Sequence, residues 1–211
     1  MRKLDRTAVP APSCLAEYYR QHKRWDDVMS EDKQPIREAL GSMQNDLCAY
    51  CEGPLRDDAH IEHFRRRHDA PQLTFAWKNL FLSCNEPTHC GHHKDRSGSP
   101  YDPADLVKPD EDDPDEFLFF SSAGDVRPRS GIDEAKRRRA EETIRVFNLN
   151  HGALRALRRR ALAVYQGLEP DILGALEAFE ATDREQLIAA EIAATAHDPY
   201  GASIRHFFER V

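Results

Sequence analysis

Long apolar segments are missing from this chain of 211 residues. No run of about 18 consecutive apolar residues occurs, so the sequence predicts no membrane-spanning helix. The opening residues, Met1–Arg6, contain no apolar stretch of the kind that a secretory signal peptide carries. These two absences predict a cytoplasmic protein without a membrane anchor.

A net positive charge is also missing. The chain has 37 acidic residues against 30 lysines and arginines, and its formal net charge of −7 argues against a general affinity for nucleic acids. Basic residues are nevertheless concentrated at 65–67, 137–139 and 158–160, and acidic residues at 105–116. Solvated surfaces are predicted for the acidic run and the two later arginine runs. The run at 65–67 is the better candidate for a local contact with a nucleic-acid backbone.

Cysteine is scarce, and four of the five cysteines fall into two pairs. Cys48 and Cys51 are separated by two residues, whereas Cys84 and Cys90 are separated by five. In a reducing compartment this spacing favours a metal site over disulfides. Four thiolates suit a tetrahedral zinc ion and leave no coordination position open, so the predicted Zn²⁺ is structural rather than catalytic. The alternative is a set of four unrelated buried thiols.

The segment between the cysteine pairs carries residues that suit hydrolysis of a phosphodiester. Such a reaction needs a water nucleophile, a base that activates it and a cation that offsets the developing charge. His63 suits the role of base, and Glu62 suits a Mg²⁺ or Mn²⁺ ion, although a structural histidine on a strand would look similar. Adjacent residues of a regular strand point to opposite faces, so the sequence does not decide whether both act directly. Asn79 is expected to hydrogen-bond the backbone of a loop.

Composition and hydrophobic periodicity divide the chain into four regions. Apolar residues recur at helical spacing in the first and last regions, and prolines are frequent in the third. The pattern predicts an α+β fold in which a small metal-clipped core is embedded in a mostly α-helical chain. The regions are an N-terminal arm and helix (1–46), the cysteine-bound core (47–100), an acidic, proline-rich connection with a short strand (101–131) and a C-terminal helical region (132–211).

Single elements can be placed within these regions. Apolar spacing predicts a helix over about 33–46. The apolar run Phe117–Phe120 is typical of a buried strand, which is expected to end in a turn at Gly124–Asp125. Asp133 and Asp183 are the predicted N-caps of two C-terminal helices.

At the motif residues the chain resembles HNH nucleases of the cysteine-containing ββα-metal type. The resemblance implies that His63 is the general base, Glu62 a ligand of the catalytic metal and Asn79 the brace of the loop. Lys94 matches the family lysine that lies four residues after the last cysteine. The residues that match the structural zinc ligands are Cys48, Cys51, Cys84 and Cys90.

One position departs from the HNH pattern. A histidine or asparagine that binds the catalytic metal usually follows the last cysteine directly, and this chain has Gly91 there. His92 and His93 come next, and one of them is expected to supply the missing ligand. The other histidines near the motifs are predicted to face solvent or to lie beside ligands; they are His60, His68 and His89.

A closer resemblance, to the PtuB subfamily, extends over most of the chain. PtuB is the HNH component of the Septu anti-phage system and also accompanies some retrons, and its family partner is PtuA, an ABC-type ATPase. The resemblance implies a toxic DNA-cleaving effector that this partner controls, with a retron reverse transcriptase complex as a further candidate partner. It rests on Cys-Ala-Tyr-Cys-Glu at 48–52, Ile-Glu-His-Phe-Arg at 61–65, Asn-Leu-Phe-Leu-Ser-Cys at 79–84, Cys-Gly-His-His-Lys at 90–94, Tyr-Asp-Pro at 101–103, Lys-Pro-Asp-Glu-Asp-Asp-Pro at 108–114 and Thr-Ile-x-x-Phe-Asn-Leu-Asn at 143–150.

Together these features predict a divalent-metal-dependent endonuclease that hydrolyses DNA phosphodiesters. Arg65 and Lys94 are expected to position the DNA backbone, and contacts of that kind carry little sequence information, so low sequence specificity is expected. Two alternatives stay open. A non-catalytic zinc-binding adaptor would use the cysteine clip as a scaffold and the helical region as a docking surface. An HNH-like enzyme that cuts RNA would differ in its substrate.

Overall fold

A computed structural model describes residues 1–96, 100–166 and 172–209, which combine α-helices with two small antiparallel sheets and so confirm the α+β class. The predicted regions 47–100 and 132–211 include residues 97–99, 167–171 and 210–211, which lie outside the described residues. The described helices are α1 (Ser13–Arg20), α2 (Ser30–Gln44), α3 (Cys90–Arg96), α4 (Glu134–Val146), α5 (Gly152–Gln166), α6 (Ile172–Glu177), α7 (Ala181–Ala194) and α8 (Gly201–Phe208). The described strands are β1 (His60–His63), β2 (Leu80–Ser83), β3 (Leu118–Phe120) and β4 (Val126–Pro128).

The N-terminal arm leads into the core through α1, a 3₁₀ turn at Trp25–Asp27 and α2. Ile36, Leu40 and Met43 form the buried stripe of α2, so the helix predicted over about 33–46 is present, with both ends slightly earlier. Asn45 follows the helix in the left-handed conformation, with φ at 53°. A residue in this conformation commonly ends a helix, and here it turns the chain toward the first cysteine pair.

The strands β1 and β2 form an antiparallel pair whose register sets His63 opposite Leu80. All four residues of β2 are buried. The connection between the strands ends in a 3₁₀ turn at Trp77–Asn79, and α3 follows β2 after a short loop. At the start of α3 the Cys90 N–H donates to the Phe147 carbonyl oxygen over 2.8 Å, which ties α3 to the end of α4.

The predicted strand at 117–120 is present as β3, and it pairs with β4 across a turn that contains Gly124. Gly124 has φ at 83°, and a Cβ there would collide with the carbonyl oxygen of Arg155 on α5. Glycine is therefore required both by the conformation and by the close approach of the two backbones.

Of the two predicted helix caps, one is correct. The Asp133 carboxylate accepts a hydrogen bond from the Lys136 N–H over 2.8 Å and caps α4. The prediction that Asp183 is an N-cap is wrong, because α7 begins earlier and its N-cap is Glu180. Asp183 instead lies in the first turn, where the helix dipole favours a carboxylate.

The prediction of a solvated arginine run at 158–160 is wrong for Arg158, which is fully buried on α5. Its guanidinium donates to the carbonyl oxygens of Leu149 and Gly124 over 2.7 and 3.1 Å and lies over the Phe120 ring. These contacts attach α5 to the turn between β3 and β4. Charge alone did not reveal them, because the two carbonyl groups lie outside the helix that carries the arginine.

The acidic run at 105–116 is also not a freely solvated loop. Five of its carboxylates form ion pairs with basic residues elsewhere in the chain, and the Asp110 side chain is only 4% exposed. Much of the negative charge is therefore neutralised within the molecule. The pairs are Asp105–Arg138, Asp110–Arg6, Asp112–Arg139, Asp115–Arg205 and Glu116–Lys136.

Buried apolar side chains form two clusters. The larger one combines residues of the arm, the cysteine-bound region, the acidic connection and the helices α4 and α5. None of the described helices is both long and apolar enough to cross a bilayer. The smaller cluster consists of Leu162, Tyr165, Leu176, Ile204, Phe207 and Phe208.

Candidate functional site

The four paired cysteines meet at one point beside β2 and the start of α3. The Sγ atoms of Cys48, Cys51, Cys84 and Cys90 all lie within 4.8 Å of one another, and those of Cys51 and Cys84 are 4.0 Å apart. A tetrahedral ion with Zn–S bonds of about 2.3 Å separates its sulfur atoms by about 3.8 Å. The donor set therefore fits a metal such as zinc, and the four residues are the ones that the sequence predicted.

A tight backbone turn places the first two thiols. The Cys48 N–H donates to the Gly53 carbonyl oxygen over 2.8 Å, and the Gly53 N–H donates to Cys51 Sγ over 3.3 Å. Between them Glu52 is in the left-handed conformation, with φ at 61°. Hydrogen bonds from neighbouring thiols lower the pKa of Cys84, which favours the thiolate that a metal requires.

His89 and Ser83 surround the cysteine cluster without joining it. His89 is buried, and its Nδ1 lies 3.2 Å from Cys90 Sγ and 3.7 Å from Cys84 Sγ. The Ser83 hydroxyl oxygen accepts a hydrogen bond from the Gly91 N–H over 3.1 Å and lies 3.8 Å from Cys48 Sγ. His89 and His68 are both predicted to face solvent or to lie beside ligands; His89 lies beside the cysteine thiols, and His68 is exposed to solvent.

His63, the predicted general base, is held at the end of β1 with 6% of its surface exposed. Its Nε2 lies 3.0 Å from the Thr74 carbonyl oxygen, and the edge of Trp25 packs against the ring with centroids 4.6 Å apart. Burial lowers the pKa of His63 to about 4, with Arg67 adding to the effect and the Thr74 carbonyl opposing it. The imidazole is thus neutral at pH 7, as a base requires.

Asn79 braces the loop that follows β1. Its Oδ1 accepts a hydrogen bond from the Arg65 N–H over 2.8 Å, and its Nδ2 donates to the carbonyl oxygens of Arg65 and Leu73. The Asn79 carbonyl oxygen accepts from the Phe64 N–H over 2.9 Å. The predicted contact with a loop backbone is therefore present, and it fixes the residues directly after His63.

Glu62, the predicted metal ligand, is buried and occupied by other groups. Its Oε2 accepts a hydrogen bond from the Tyr50 hydroxyl, and its Oε1 lies 2.7 Å from Lys94 Nζ. The same ammonium contacts Asp95 Oδ1 at 2.6 Å and the His63 carbonyl oxygen at 2.9 Å. Burial opposes the charge of Lys94, but the carboxylates of Glu62 and Asp95 raise the pKa of this lysine overall.

Lys94 lies inside this network and not at the surface. The side chain is fully buried, so in this conformation it does not present an ammonium to a phosphate. It instead joins the carboxylate of Glu62 to the backbone of His63. Arg65, the other predicted backbone contact, is exposed and lines a cleft of about 630 Å³ together with Asn79 and Lys78. Lys78 is likewise exposed and was missed by sequence reasoning, although it directly precedes Asn79.

The two candidate histidines of α3 face different neighbours. His93 Nδ1 lies 3.0 Å from the Val146 carbonyl oxygen on α4. His92 Nε2 lies 2.6 Å from Asn85 Oδ1, and its ring faces β1. The structure therefore places His92, but not His93, against the strand that carries Glu62.

His60 is the residue at this interface that sequence reasoning missed. Its ring stacks on His92, with centroids 4.0 Å apart and planes 21° apart. Both ring nitrogens are buried and have no hydrogen-bond partner among the described residues. Burial, with a smaller effect of His92, lowers the pKa of His60 to about 4. Its spacing from Glu62 was the available signal, since residues two apart share a face of a strand.

An unpaired buried polar group costs about 1–3 kcal/mol, so the state of His60 calls for an explanation. Within the described residues, the cysteine cluster is the one group of three or more possible ligand atoms that lie within 4.8 Å of one another. Glu62, His92 and His93 therefore do not converge on one point in this conformation. His92 stacks on His60, which shares a face of β1 with Glu62, while His93 lies against α4.

Three curated proteins are similar to this chain, whereas no family model matches it. One is a retron Vc95 putative HNH endonuclease from Vibrio cholerae serotype O1 biovar El Tor, 25% identical over 138 residues, which are 62% of this chain and 64% of the relative. Two are Septu proteins PtuB. The protein from Bacillus thuringiensis is 29% identical over 48% of this chain and 40% of the relative. The protein from Bacillus mycoides (strain KBAB4) is 25% identical over 72% of this chain and 59% of the relative.

These relatives confirm the resemblance to PtuB-like HNH proteins. In each case the chain spans less than two thirds of the length of the curated relative that it matches. The names of these relatives describe a putative HNH endonuclease of a retron and PtuB proteins of Septu.

Proposed function

We propose that this chain is a divalent-metal-dependent HNH endonuclease that hydrolyses DNA phosphodiester bonds. The observation that carries the proposal is the environment of His63. A neutral imidazole is anchored through Nε2 to the Thr74 carbonyl oxygen, directly before a loop that Asn79 braces. The names of the similar proteins, an HNH endonuclease and PtuB, support the same reaction class.

The proposed catalytic core is the ββα unit formed by β1, β2 and α3. The three elements follow one another along the chain, and the cysteine cluster holds the end of β2 and the start of α3 beside the first cysteine pair. A structural Zn²⁺ at the cluster fixes the unit in the way that small metal domains require.

The division of the chain into regions that end at residues 46, 100 and 131 stays a prediction.

His63 is proposed to activate the attacking water. When Nε2–H donates to the Thr74 carbonyl oxygen, the lone pair of Nδ1 is left as the proton acceptor. The water loses a proton to Nδ1 as its oxygen bonds to phosphorus, and the bond from phosphorus to the leaving oxygen of the DNA strand breaks. Asn79 acts on this step indirectly, through the backbone that positions His63.

Glu62 and His92 are the proposed holders of the catalytic divalent metal. Their carboxylate and imidazole suit Mn²⁺ or Mg²⁺. His60, two positions before Glu62 on β1, adds two buried ring nitrogens that have no hydrogen-bond partner among the described residues. The bound ion would supply positive charge against the developing charge of the phosphate. Of the two histidines that the sequence left open, His92 is favoured because it faces β1, whereas His93 contacts α4.

Arg65 and Lys78 are the proposed contacts to the DNA backbone. Both are exposed beside the cleft that Asn79 lines, whereas Lys108 and Arg139 in the same cleft are engaged with acidic residues. Lys94 acts from inside the molecule, by holding Glu62 and the backbone of His63. Contacts to phosphates imply low sequence specificity.

The described conformation is proposed to be a resting state. Trp25 covers the His63 ring, and Glu62 is occupied by Tyr50 and Lys94. DNA cleavage therefore requires a movement of the arm around Trp25. A PtuA-like ABC-type ATPase of an anti-phage defence system, or a retron reverse transcriptase complex, is the proposed partner that controls a toxic effector of this kind.

The test is cleavage of plasmid DNA by the wild type and by His63→Ala, with Mg²⁺ or Mn²⁺, with and without a PtuA-like ATPase. We expect metal-dependent cleavage by the wild type and a loss of about 10²-fold or more in His63→Ala, because a general base typically contributes that much. His68→Ala, at an exposed histidine, is the matched control and should cleave normally. Zinc content should be equal in all three proteins.

A non-catalytic zinc-binding adaptor is the second candidate. It is favoured by the burial of both His63 and Glu62 and by the glycine at position 91. An adaptor would cleave nothing under any of these conditions, and His63→Ala would keep its partner binding and cellular effect. An RNA panel run beside the plasmid would identify an HNH-like enzyme that cuts RNA.

A further inference from the structure

The space in front of Gly91 is already filled by groups from β1 and β2. A Cβ on residue 91 would lie 2.5 Å from Glu62 Cγ, 2.9 Å from His60 Nε2 and 3.1 Å from Ser83 Oγ. A larger residue therefore does not fit at this first turn of α3. The imidazole of His60 reaches the same space from the strand.

Among the described residues, the ring nitrogens of His60 lack partners of the kind that two neighbouring histidines have. His63 is anchored to the Thr74 carbonyl oxygen, and His93 to that of Val146. Both nitrogens of His60 are buried, and neither has a hydrogen-bond partner among the described residues. Such a group indicates an ion or a water that completes the site.

His92, on which His60 stacks, is arranged as metal-binding histidines usually are. Its Nε2 lies 2.6 Å from Asn85 Oδ1, so the Nε2–H can donate to this amide oxygen. A bond of that kind fixes the tautomer and leaves the lone pair of Nδ1 for a metal. His60 and His92 thus offer two imidazoles from facing elements, β1 and α3.

We propose that His60 is a ligand of the catalytic divalent metal, together with His92. The inference deepens the proposed nuclease site and rests on that proposal. His60 then supplies the imidazole that Gly91, which has no side chain, does not, so this ligand comes from the strand instead of the helix. Because two imidazoles suit softer ions better than Mg²⁺, Mn²⁺ is the preferred ion of the two.

The test measures binding of Mn²⁺ to the full zinc-loaded chain, by titration calorimetry and by the electron paramagnetic resonance signal of free Mn²⁺. Mn²⁺ is chosen because it competes poorly for thiolates. We expect one Mn²⁺ per wild-type chain and binding at least about tenfold weaker in His60→Phe. Phenylalanine has a flat ring that can stack on His92, and it lacks both ring nitrogens. His68→Ala should bind Mn²⁺ as the wild type does.

A measurement on the wild type avoids dependence on variant folding. In the chain labelled with ¹⁵N-histidine, sub-stoichiometric Mn²⁺ should broaden the ring resonances of His60 and His92 before those of the exposed His68. The inference is overturned if Mn²⁺ does not bind, if His60→Phe binds it unchanged, or if His68 broadens equally early. DNA cleavage is measured separately. If the wild type binds Mn²⁺ through His60 but does not cleave DNA, only the proposed function is contradicted. If the wild type cleaves DNA but His60→Phe binds Mn²⁺ as tightly as the wild type does, only this inference is contradicted.

Discussion

The cysteine cluster and the β1–α3 face, defined as His60, Glu62 and His92, lie on the same short segment but use their polar atoms differently. The four thiols have converged within 4.8 Å of one another. On the β1–α3 face, Glu62 is bound by Tyr50 and Lys94, His92 contacts Asn85, and the nitrogens of His60 have no partner among the described residues.

Under the proposed function, the difference is one between a structural and a catalytic metal site. A structural site gains its free energy when the chain folds around the ion, so its ligands are assembled in the folded state. The proposed catalytic site has its ligand Glu62 and its base His63 covered in the described conformation. The ammonium of Lys94 beside Glu62, and the ring of Trp25 against His63, provide such cover.

The largest effect should come from breaking the assembled site. Cys84→Ser removes the ligand whose Sγ lies 4.0 Å from Cys51 Sγ, and we expect loss of zinc and a destabilisation above about 5 kcal/mol. A loss of that size approaches the whole stability of a typical domain. Zinc content and thermal unfolding followed by circular dichroism measure it.

Cys14→Ser is the matched control for this experiment, because Cys14 lies outside the cluster. It should keep the zinc and nearly the wild-type melting temperature. A Cys84→Ser protein that retained both would show that the cluster is four buried thiols and not a metal site.

A smaller effect should follow from breaking the cover of Glu62. Lys94→Met leaves a buried carboxylate without the ammonium 2.7 Å away, which should cost about 3–5 kcal/mol of unfolding free energy. Urea denaturation measures the change. Adding Glu62→Gln should recover part of the loss, because the uncompensated charge is then removed.

Lys78→Met is the control for this pair, since Lys78 is exposed and should change stability by no more than about 0.5 kcal/mol. If Lys94→Met were as harmless as Lys78→Met, the ammonium would not be holding Glu62. Its role would then return to the contact with phosphate that the sequence first suggested.

Local patterns predicted the parts of this segment that depend on neighbours in sequence. The cysteine spacing identified all four thiols of the cluster, because two cysteines a few residues apart are brought together by a local backbone turn. Asn79 was expected to hold a loop backbone, and it does so through Arg65 and Leu73. The α+β class followed from periodicity and from the short apolar strand at 117–120.

The remaining features depend on groups that only the tertiary structure brings together. His60 was predicted to face solvent or to lie beside ligands. Only the folded structure shows that its Nε2 lies against Gly91 of α3, where a side chain would collide with it. Lys94 looked like a surface cation until Glu62 and Asp95 surrounded it. Arg158 was placed on a solvated face because the carbonyl groups that bind it lie in a turn and a loop outside its helix.

The smallest predicted effect is a dependence of stability on pH that comes from His63. Burial lowers the pKa of His63 in the folded chain to about 4, below the ordinary histidine value of 6.5. The unfolded chain therefore binds more protons between these values, so stability from this group is present above pH 6.5 and is lost as the pH falls toward 4. Between pH 7 and 4.5 the loss should be about 2 kcal/mol.

His63→Gln should lack this part of the pH dependence, and His68→Gln, at an exposed position, should keep it. Urea denaturation at pH 7 and 4.5, without added divalent metal, measures both. Equal pH dependence in the wild type and in His63→Gln would mean that the ring takes up its proton while the chain is folded. His63 would then be open to solvent, and the proposed cover by Trp25 would have to be abandoned, whereas the assembled cysteine cluster would be unaffected.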